Sequence, residues 1–380
     1  MNFCKFHVTG LFSTAAAILL CGCASAADNV AASRPILSVL KQFENAPAKG
    51  PGEAEAPVRA LPAPSIAMPW PGKGLAQHPF LFYGEGNNVL YVVNQGKVVW
   101  TYAFPRGGEI GDAWMLSNGH IICTKMTDCY EVTPQKEIVW SYHCAPNTQI
   151  HAIQPIGLDQ VMVVENGLPP HLYILNKKDN SKALAHELPA ISATDPKTIH
   201  GQFRNCRITA QGTYLLPFLQ KSLVVEYDKT WKEIWTVASP TPWSAVRLKN
   251  GDTLIPGDNR GFVHEVNPKG EIVWAIESNT LPGIVLHDVQ TASRLDNGDT
   301  LICNRGGGTK AVAPAQAVAG GAAVAQVPAP AQAAAVQVVE VTPDKKVVWV
   351  LQDNKDLPSC SGIQLLDEPG TPETPGDLQR

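Results

Sequence analysis

Three phrases recur along the 380-residue chain and predict an all-β fold, a six-bladed β-propeller of four-stranded antiparallel blades. One is a β-branched run closed by Trp: Val98-Val99-Trp100, Ile138-Val139-Trp140, Glu233-Ile234-Trp235, Ile272-Val273-Trp274 and Val347-Val348-Trp349. Another is an Asn-Gly turn ahead of an apolar strand, at Asn118-Gly119, Asn250-Gly251 and Asn297-Gly298. Between them stands a Glu-Val pair that runs into proline, at Glu131-Val132-Thr133-Pro134, Glu265-Val266-Asn267-Pro268 and Glu340-Val341-Thr342-Pro343.

Each unit then reads as four strands. The first alternates apolar residues up to the Asn-Gly, which tolerates positive φ and closes a tight hairpin. The second is the Asp-Thr-Leu-Ile run. The third is the Glu-Val strand, ended by a Pro that cannot donate to a continuing ladder. The fourth is the Ile-Val-Trp strand, whose residues suit a pleated, half-buried surface. The Trp is expected to pack between blades, because its ring buries a large area.

Spacing counts the units. Trp100 to Trp140 is 40 residues and Trp235 to Trp274 is 39. The 95 residues from Trp140 to Trp235 fit two units, one lacking its Trp near residues 183–188. The 75 from Trp274 to Trp349 fit one unit with an insertion. The first unit begins at His78-Pro79-Phe80 without an opening strand, and the C-terminal run Gly362-Ile363-Gln364-Leu365 supplies a spare one. A C-terminal strand completing the first blade closes the ring and removes exposed edges. The propeller is expected over residues 70–377 as one domain.

Ahead of it, Lys5 and His7 precede an apolar run over residues 8–20, the pattern of a secretory signal peptide within 1–26 and too short to span a membrane. Leu20-Cys21-Gly22-Cys23 resembles a bacterial lipobox, which would leave Cys23 lipidated; Ala24-Ser25-Ala26 reads instead as an ordinary cleavage site. Both exits imply export, to a periplasmic or lipid-anchored form. Residues 27–69, rich in Ala, Pro and Gly, read as a linker. The low-complexity stretch 311–335 reads as a loop inserted between the second and third strands of the last blade. A net charge of -4, with no Lys/Arg cluster, argues against nucleic acid. Among the nine cysteines, Cys123 and Cys129 lie on adjacent strands of one hairpin as a possible pair, and Cys206 reads as a buried thiol. No C-x-x-C spacing supports a zinc ribbon or thioredoxin-like motif.

The first strand of each blade lines the channel, and the loop entering it rims one face. The hairpin glycines align at 119, 157, 212, 251, 298 and 370. The entering segments then depart from the repeat and carry Asp112, His151, His200, Arg204, His287 and Asp288, with Arg305 from a second strand. Non-repeating polar residues at matching places around one axis are what a ligand site needs. Three His and an Arg suit a small anionic ligand. Imidazole also suits Zn, Cu, Fe and Ni, but nothing in the spacing shows the three rings converging, so no metal and no cofactor is assigned.

The unit with Gly270-Glu271-Ile272-Val273-Trp274 and Asn250-Gly251-Asp252-Thr253-Leu254-Ile255 resembles the repeats of quinoprotein-type (PQQ-like) propellers and is similar to those of bacterial arylsulfotransferases, exported six-bladed propellers with a channel His nucleophile. On that resemblance, Leu286-His287-Asp288 is the His-Asp entry, His287 the sulfated nucleophile, and His151, His200 and Arg204 the groups that stabilise sulfuryl oxygens. PQQ enzymes usually carry eight blades and an acidic Ca²⁺ cluster, and neither is legible here. The reading favoured is a non-catalytic exported propeller that binds a small anionic ligand or an envelope protein at the channel face. The alternatives are an arylsulfotransferase-like enzyme and a PQQ-dependent dehydrogenase-like protein.

Overall fold

Residues 35–56, 70–84, 87–306, 336–353 and 355–380 are described by the computed structural model. Their strands form six four-stranded antiparallel sheets, the predicted six-bladed propeller. Blade 1 holds β1 (Phe80–Tyr83), β2 (Val89–Asn94) and β3 (Lys97–Ala103); blade 2 holds β4 (Ala113–Met115), β5 (Ile121–Lys125), β6 (Asp128–Val132) and β7 (Ile138–His143). Blade 3 comprises β8 (Gln149–Ile156), β9 (Gln160–Asn166), β10 (His171–Asn176) and β11 (Lys182–Glu187); blade 4 comprises β12 (Arg207–Ile208), β13 (Tyr214–Phe218), β14 (Leu223–Tyr227) and β15 (Glu233–Ala238). Blade 5 runs through β16 (Val246–Arg247), β17 (Thr253–Gly257), β18 (Phe262–Val266) and β19 (Ile272–Ile276); blade 6 through β20 (Val289–Arg294), β21 (Thr300–Asn304), β22 (Val338–Val341) and β23 (Val347–Leu351). The final strand, β24 (Gly362–Leu365), pairs antiparallel with β1, Phe80 opposite Leu365 and Tyr83 opposite Gly362. Blade 1 is thus completed by the C-terminal strand, as its missing opening strand requires.

The Asn-Gly turns carry the backbone the sequence demands: Gly119, Gly251 and Gly298 stand at φ of 88°, 93° and 91°, where a side chain would be strained. The fourth-strand Trp residues join neighbouring blades. Trp100, Trp235 and Trp274 each donate Nε1–H to the carbonyl of the proline in the next blade: Pro134 at 2.9 Å, Pro268 at 3.1 Å and Pro343 at 2.8 Å. Trp140 reaches Asn180 Oδ1 in blade 3, and Trp349 closes the circle on the carbonyl of Gly74. A second link lies beneath. Glu226 and Glu265 sit opposite Trp235 and Trp274 in register. Each pairs with an Arg on the first strand of the next blade, Arg247 and Arg294, and that guanidinium also lies over the Trp ring. Blade 3 departs from the pattern. Leu184 takes the Trp register opposite Ile174, and Trp231 of blade 4 stacks on His186 with ring centroids 3.6 Å apart.

The inner strands leave backbone groups facing the channel, and buried backbone groups must find partners. Side-chain amides supply them between blades. Gln364 both accepts from and donates to the backbone of Met115, at 2.9 and 3.1 Å. Gln154 does the same for Ile208, at 2.6 and 3.3 Å.

Two segments add to the ring. Part of the stretch read as a linker is docked: Ile36, Leu40 and Phe43 are buried against blades 1 and 2, Phe43 edge-on to Trp100. Lys136 and Glu53 form a buried ion pair at 3.1 Å. The C-terminal tail crosses the hairpin face. Glu373 accepts from the backbone and hydroxyl of Ser117, Gly157 N–H donates to Glu373 O, and Gly376 packs on Ala210. Lys249 N–H donates to Gln379 Oε1 at 2.7 Å and Arg294 N–H to Gln379 O at 3.0 Å. The tail therefore touches blades 2 to 6 and covers that end of the channel.

The six described cysteines are free, buried thiols. Cys206 is buried as expected, but Cys123 and Cys129 do not pair. Cys129 stands opposite Thr124, not Cys123, and an offset of one residue sends the two side chains to opposite sheet faces. The signal region with Cys23 and the 311–335 stretch lie outside the described residues; β21 and β22 flank the latter, so it joins the second and third strands of blade 6. Among the described residues no helix is long and apolar enough to cross a membrane.

Candidate functional site

The polar residues expected at the channel separate into three groups. Asp112 enters β4 at full burial and serves as a cross-channel strut. Its carboxylate takes Arg207 Nη1 at 2.7 Å and Nη2 at 3.3 Å, and accepts the Ile153 N–H at 3.3 Å. Blades 2, 3 and 4 meet in this one carboxylate. Its ligand capacity is spent on the protein, so it belongs to the frame and not to a ligand surface.

His287 and Asp288 stand at the entry to blade 6. Asp288 adopts φ of 52°, and Asn304 Oδ1 holds the backbone of His287 at 2.8 Å. His287 Nδ1 lies 3.0 Å from Asp288 Oδ1, and Arg305 reaches Asp288 Oδ2 at 3.3 Å. Gly306 permits this arrangement, because a Cβ there would stand 2.6 Å from His287 Nδ1.

The third group brings His151, His200 and Arg204 together, and adds two residues that the sequence reading passed over, Glu109 and Gln149. His151 follows Gln149 at the start of β8, His200 and Arg204 lie in the long connection into blade 4, and Glu109 lies in the connection into blade 2. Gln149 Oε1 bridges the two rings, 3.1 Å from His151 Nε2 and 2.9 Å from His200 Nδ1. The rings stand edge to face with centroids 5.1 Å apart. On the other side of His151, its Nδ1 lies 2.9 Å from Glu109 Oε1. Ligand atoms of Glu109, His151 and His200 all fall within 4.8 Å of one another. Arg204 is buried with its guanidinium over Trp243 at 4.6 Å, and Nη1 donates to the carbonyls of His200 and Phe203. The cluster is graded from the buried His151 through the half-buried Glu109 to the exposed His200.

Electrostatics follow from that placing. Burial drives the His151 pKa down, the Arg204 charge adds to it, and the contact with Glu109 only partly resists; the result is about 4, a neutral ring at ordinary pH. For Glu109, burial pushes up, but the contact and charge of His151 and the charge of Arg204 prevail and take it down to about 2. The carboxylate is ionised and the Arg204 field is felt at the channel mouth.

Glu109 follows two glycines in the segment entering blade 2, Gly107-Gly108-Glu109, and only the fold shows that this entry turns toward blade 3. Gly111 is part of the reason: its Cα packs so close to His151 that a Cβ would stand 3.1 Å from the His151 backbone.

No family model and no curated protein matches the chain. Among solved structures, a protein of unknown function from Bacteroides caccae is similar, with 22% identity, a TM-score of 0.62, and coverage of 75% of this chain and 97% of that one. A streptogramin B lyase is 12% identical over 76% of this chain and 86% of its own, with a TM-score of 0.47. The WD40 β-propeller domain of Doa1 is 14% identical over 58% and 70%, with a TM-score of 0.43. The likeness to the Bacteroides caccae protein shows a shared fold; the chain is a β-propeller protein.

Proposed function

We propose that the chain is an exported, non-catalytic propeller that binds a small ligand with an anionic group at the channel mouth formed by Glu109, His151, His200 and Arg204. The observation that carries this reading is the convergence of His151, His200 and Arg204 at one end of a channel whose other end the C-terminal tail covers. A cationic guanidinium set on Trp243 in a largely dry site acts strongly on charge nearby, and the exposed His200 stands at the entrance. Export rests on the signal-like residues 1–26. Calorimetric titration of the protein with sulfate, and separately with phosphate, at low ionic strength tests the binding. Binding by the unmodified chain that weakens at least tenfold in His200→Asn supports the reading; absence of saturable heat for both anions, or equal affinity in His200→Asn, overturns it.

A second reading draws on the His287–Asp288 pair. A His held by a neighbouring carboxylate is the arrangement a nucleophile or base requires, and the repeat resemblance to arylsulfotransferases assigns His287 that role. Mass analysis after incubation with an aryl sulfate would show a sulfated His287 peptide, absent in His287→Asn; no adduct on the folded protein removes this reading.

A further inference from the structure

We infer that Glu109, His151 and His200 form a site for a divalent transition-metal ion at the open end of the channel, a step that rests on reading this end as a ligand site. Three features of the cluster lead there. The first is spacing. Ligands of one tetrahedral ion at about 2.0–2.2 Å lie roughly 3 to 3.5 Å apart. Glu109 Oε1 and His151 Nδ1 are 2.9 Å apart, and one ligand atom from each of Glu109, His151 and His200 falls within 4.8 Å of the other two. Small rotations of the exposed His200 ring close that gap.

The second is a pair of buried atoms that face one another without a donor. Gln149 Oε1 can only accept, so the ring nitrogens on either side of it, His151 Nε2 and His200 Nδ1, carry the protons. That tautomer leaves a lone pair on His151 Nδ1, which lies 2.9 Å from the Glu109 carboxylate. Neither His151 Nδ1 nor Glu109 Oε1 has an aligned hydrogen bond, and both atoms are fully buried. Two acceptors at this distance repel, and buried polar atoms without partners are costly. A cation bound by both removes the conflict. The Gln149 contact then has the form usual around metal-bound imidazole, with the second ring N–H given to an oxygen that fixes the tautomer and the ring plane.

The third is the donor set and its exposure. Two imidazoles and one carboxylate suit zinc and its first-row neighbours better than magnesium or calcium, which prefer oxygen. Three protein ligands with His200 at the solvent edge leave a coordination position open, the feature of a site that takes up an exogenous ligand and not of a closed structural one. Arg204 opposes a bare cation, while an anion in the open position satisfies both. Metal and anion are therefore expected to bind with positive coupling.

The test uses the full chain stripped with a chelator and titrated with Zn²⁺ and Mn²⁺ by calorimetry, then with sulfate in the metal-free and metal-loaded forms. The expected result is one ion per chain, bound at least tenfold more weakly by His200→Asn and by Glu109→Gln, and unchanged by His143→Asn on the outer surface. His200→Asn alters an exposed side chain, and circular dichroism confirms its fold. Absence of saturable binding of either ion, or equal affinity in His200→Asn, overturns the metal site. Sulfate binding to the metal-free protein without any metal binding leaves the anion reading standing and removes this one. Metal binding without sulfate binding in either form does the reverse.

Discussion

His78 shows how one side chain ties chemistry to ring closure. It lies between two carboxylates from different parts of the chain, Asp367 just past β24 at 2.8 Å and Glu340 of blade 6 at 3.3 Å. Burial pulls its pKa down, but the hydrogen bonds to Asp367 and Glu340 and their charges outweigh that and raise it to about 9. A folded-state value above the unfolded one means the imidazolium stabilises the fold. That contribution is complete below about 6.5 and is lost as pH rises through about 9. Allowing for its partly solvated position, the loss is about 2–3 kcal/mol. Urea denaturation at a series of pH values should show it in the unmodified protein and not in His78→Gln, whose stability should be nearly level over the same window. Parallel curves would mean the alkaline loss arises elsewhere. His78 was legible only as the start of the first unit, because both of its partners come from the far end of the sequence. Asp112 has the same history. Its place on an inner strand could be read from the repeat, but Arg207, 95 residues away, is chosen by the geometry of three blades meeting at the channel.

Between strands and blades, the repeat was legible because each recurring residue has a recurring contact. The fourth-strand Trp and the third-strand Pro are two halves of one hydrogen bond across neighbouring blades. A third-strand Glu, Glu226 or Glu265, and the Arg that precedes Leu-x-Asn-Gly, in Arg247-Leu248 and Arg294-Leu295, form the second link. That pairing joins different units, at offsets of 21 and 29 residues, so no reading within one unit could show it. In blade 3 the pattern breaks at Leu184, and Trp231 from the next blade covers the gap, which no reading within one unit could show. The Arg294–Glu265 contact, 2.6 Å long beneath Trp274 and largely shielded from water, should carry measurable coupling. A double-mutant cycle with Arg294→Met and Glu265→Gln should give about 1–3 kcal/mol of interaction energy by chemical denaturation. A coupling below about 0.5 kcal/mol would assign the stability of this junction to Trp274 packing and its bond to Pro343.

The ring as a whole is closed twice, in different ways. β24 closes it in the plane by completing blade 1, and residues 369–380 close it along the axis by crossing the hairpin face. The first closure was legible, because a unit lacking a strand and a spare strand at the other end define each other. The second was not, since the tail has no periodicity and binds mostly through backbone groups of the hairpins. The two closures predict different consequences of truncation. Deleting residues 369–380 leaves β24 and the His78–Asp367 contact in place, so the propeller should fold. Its loss should fall on the amides that donate to the tail: those of Ser117, Gly157, Lys249 and Arg294 bond to Glu373 or Gln379. Their hydrogen exchange should accelerate at least tenfold, while the central amides of β5 and β9, held by strand pairing alone, keep their protection. Deleting residues 361–380 also removes β24, exposes the edge of β1 and strips Met115 of Gln364, so that chain should lose cooperative unfolding and aggregate. Equal exchange at the four amides with and without the tail would mean that it is not docked in solution. The channel would then be open at both ends, and a ligand at His200 would no longer have a single route of entry.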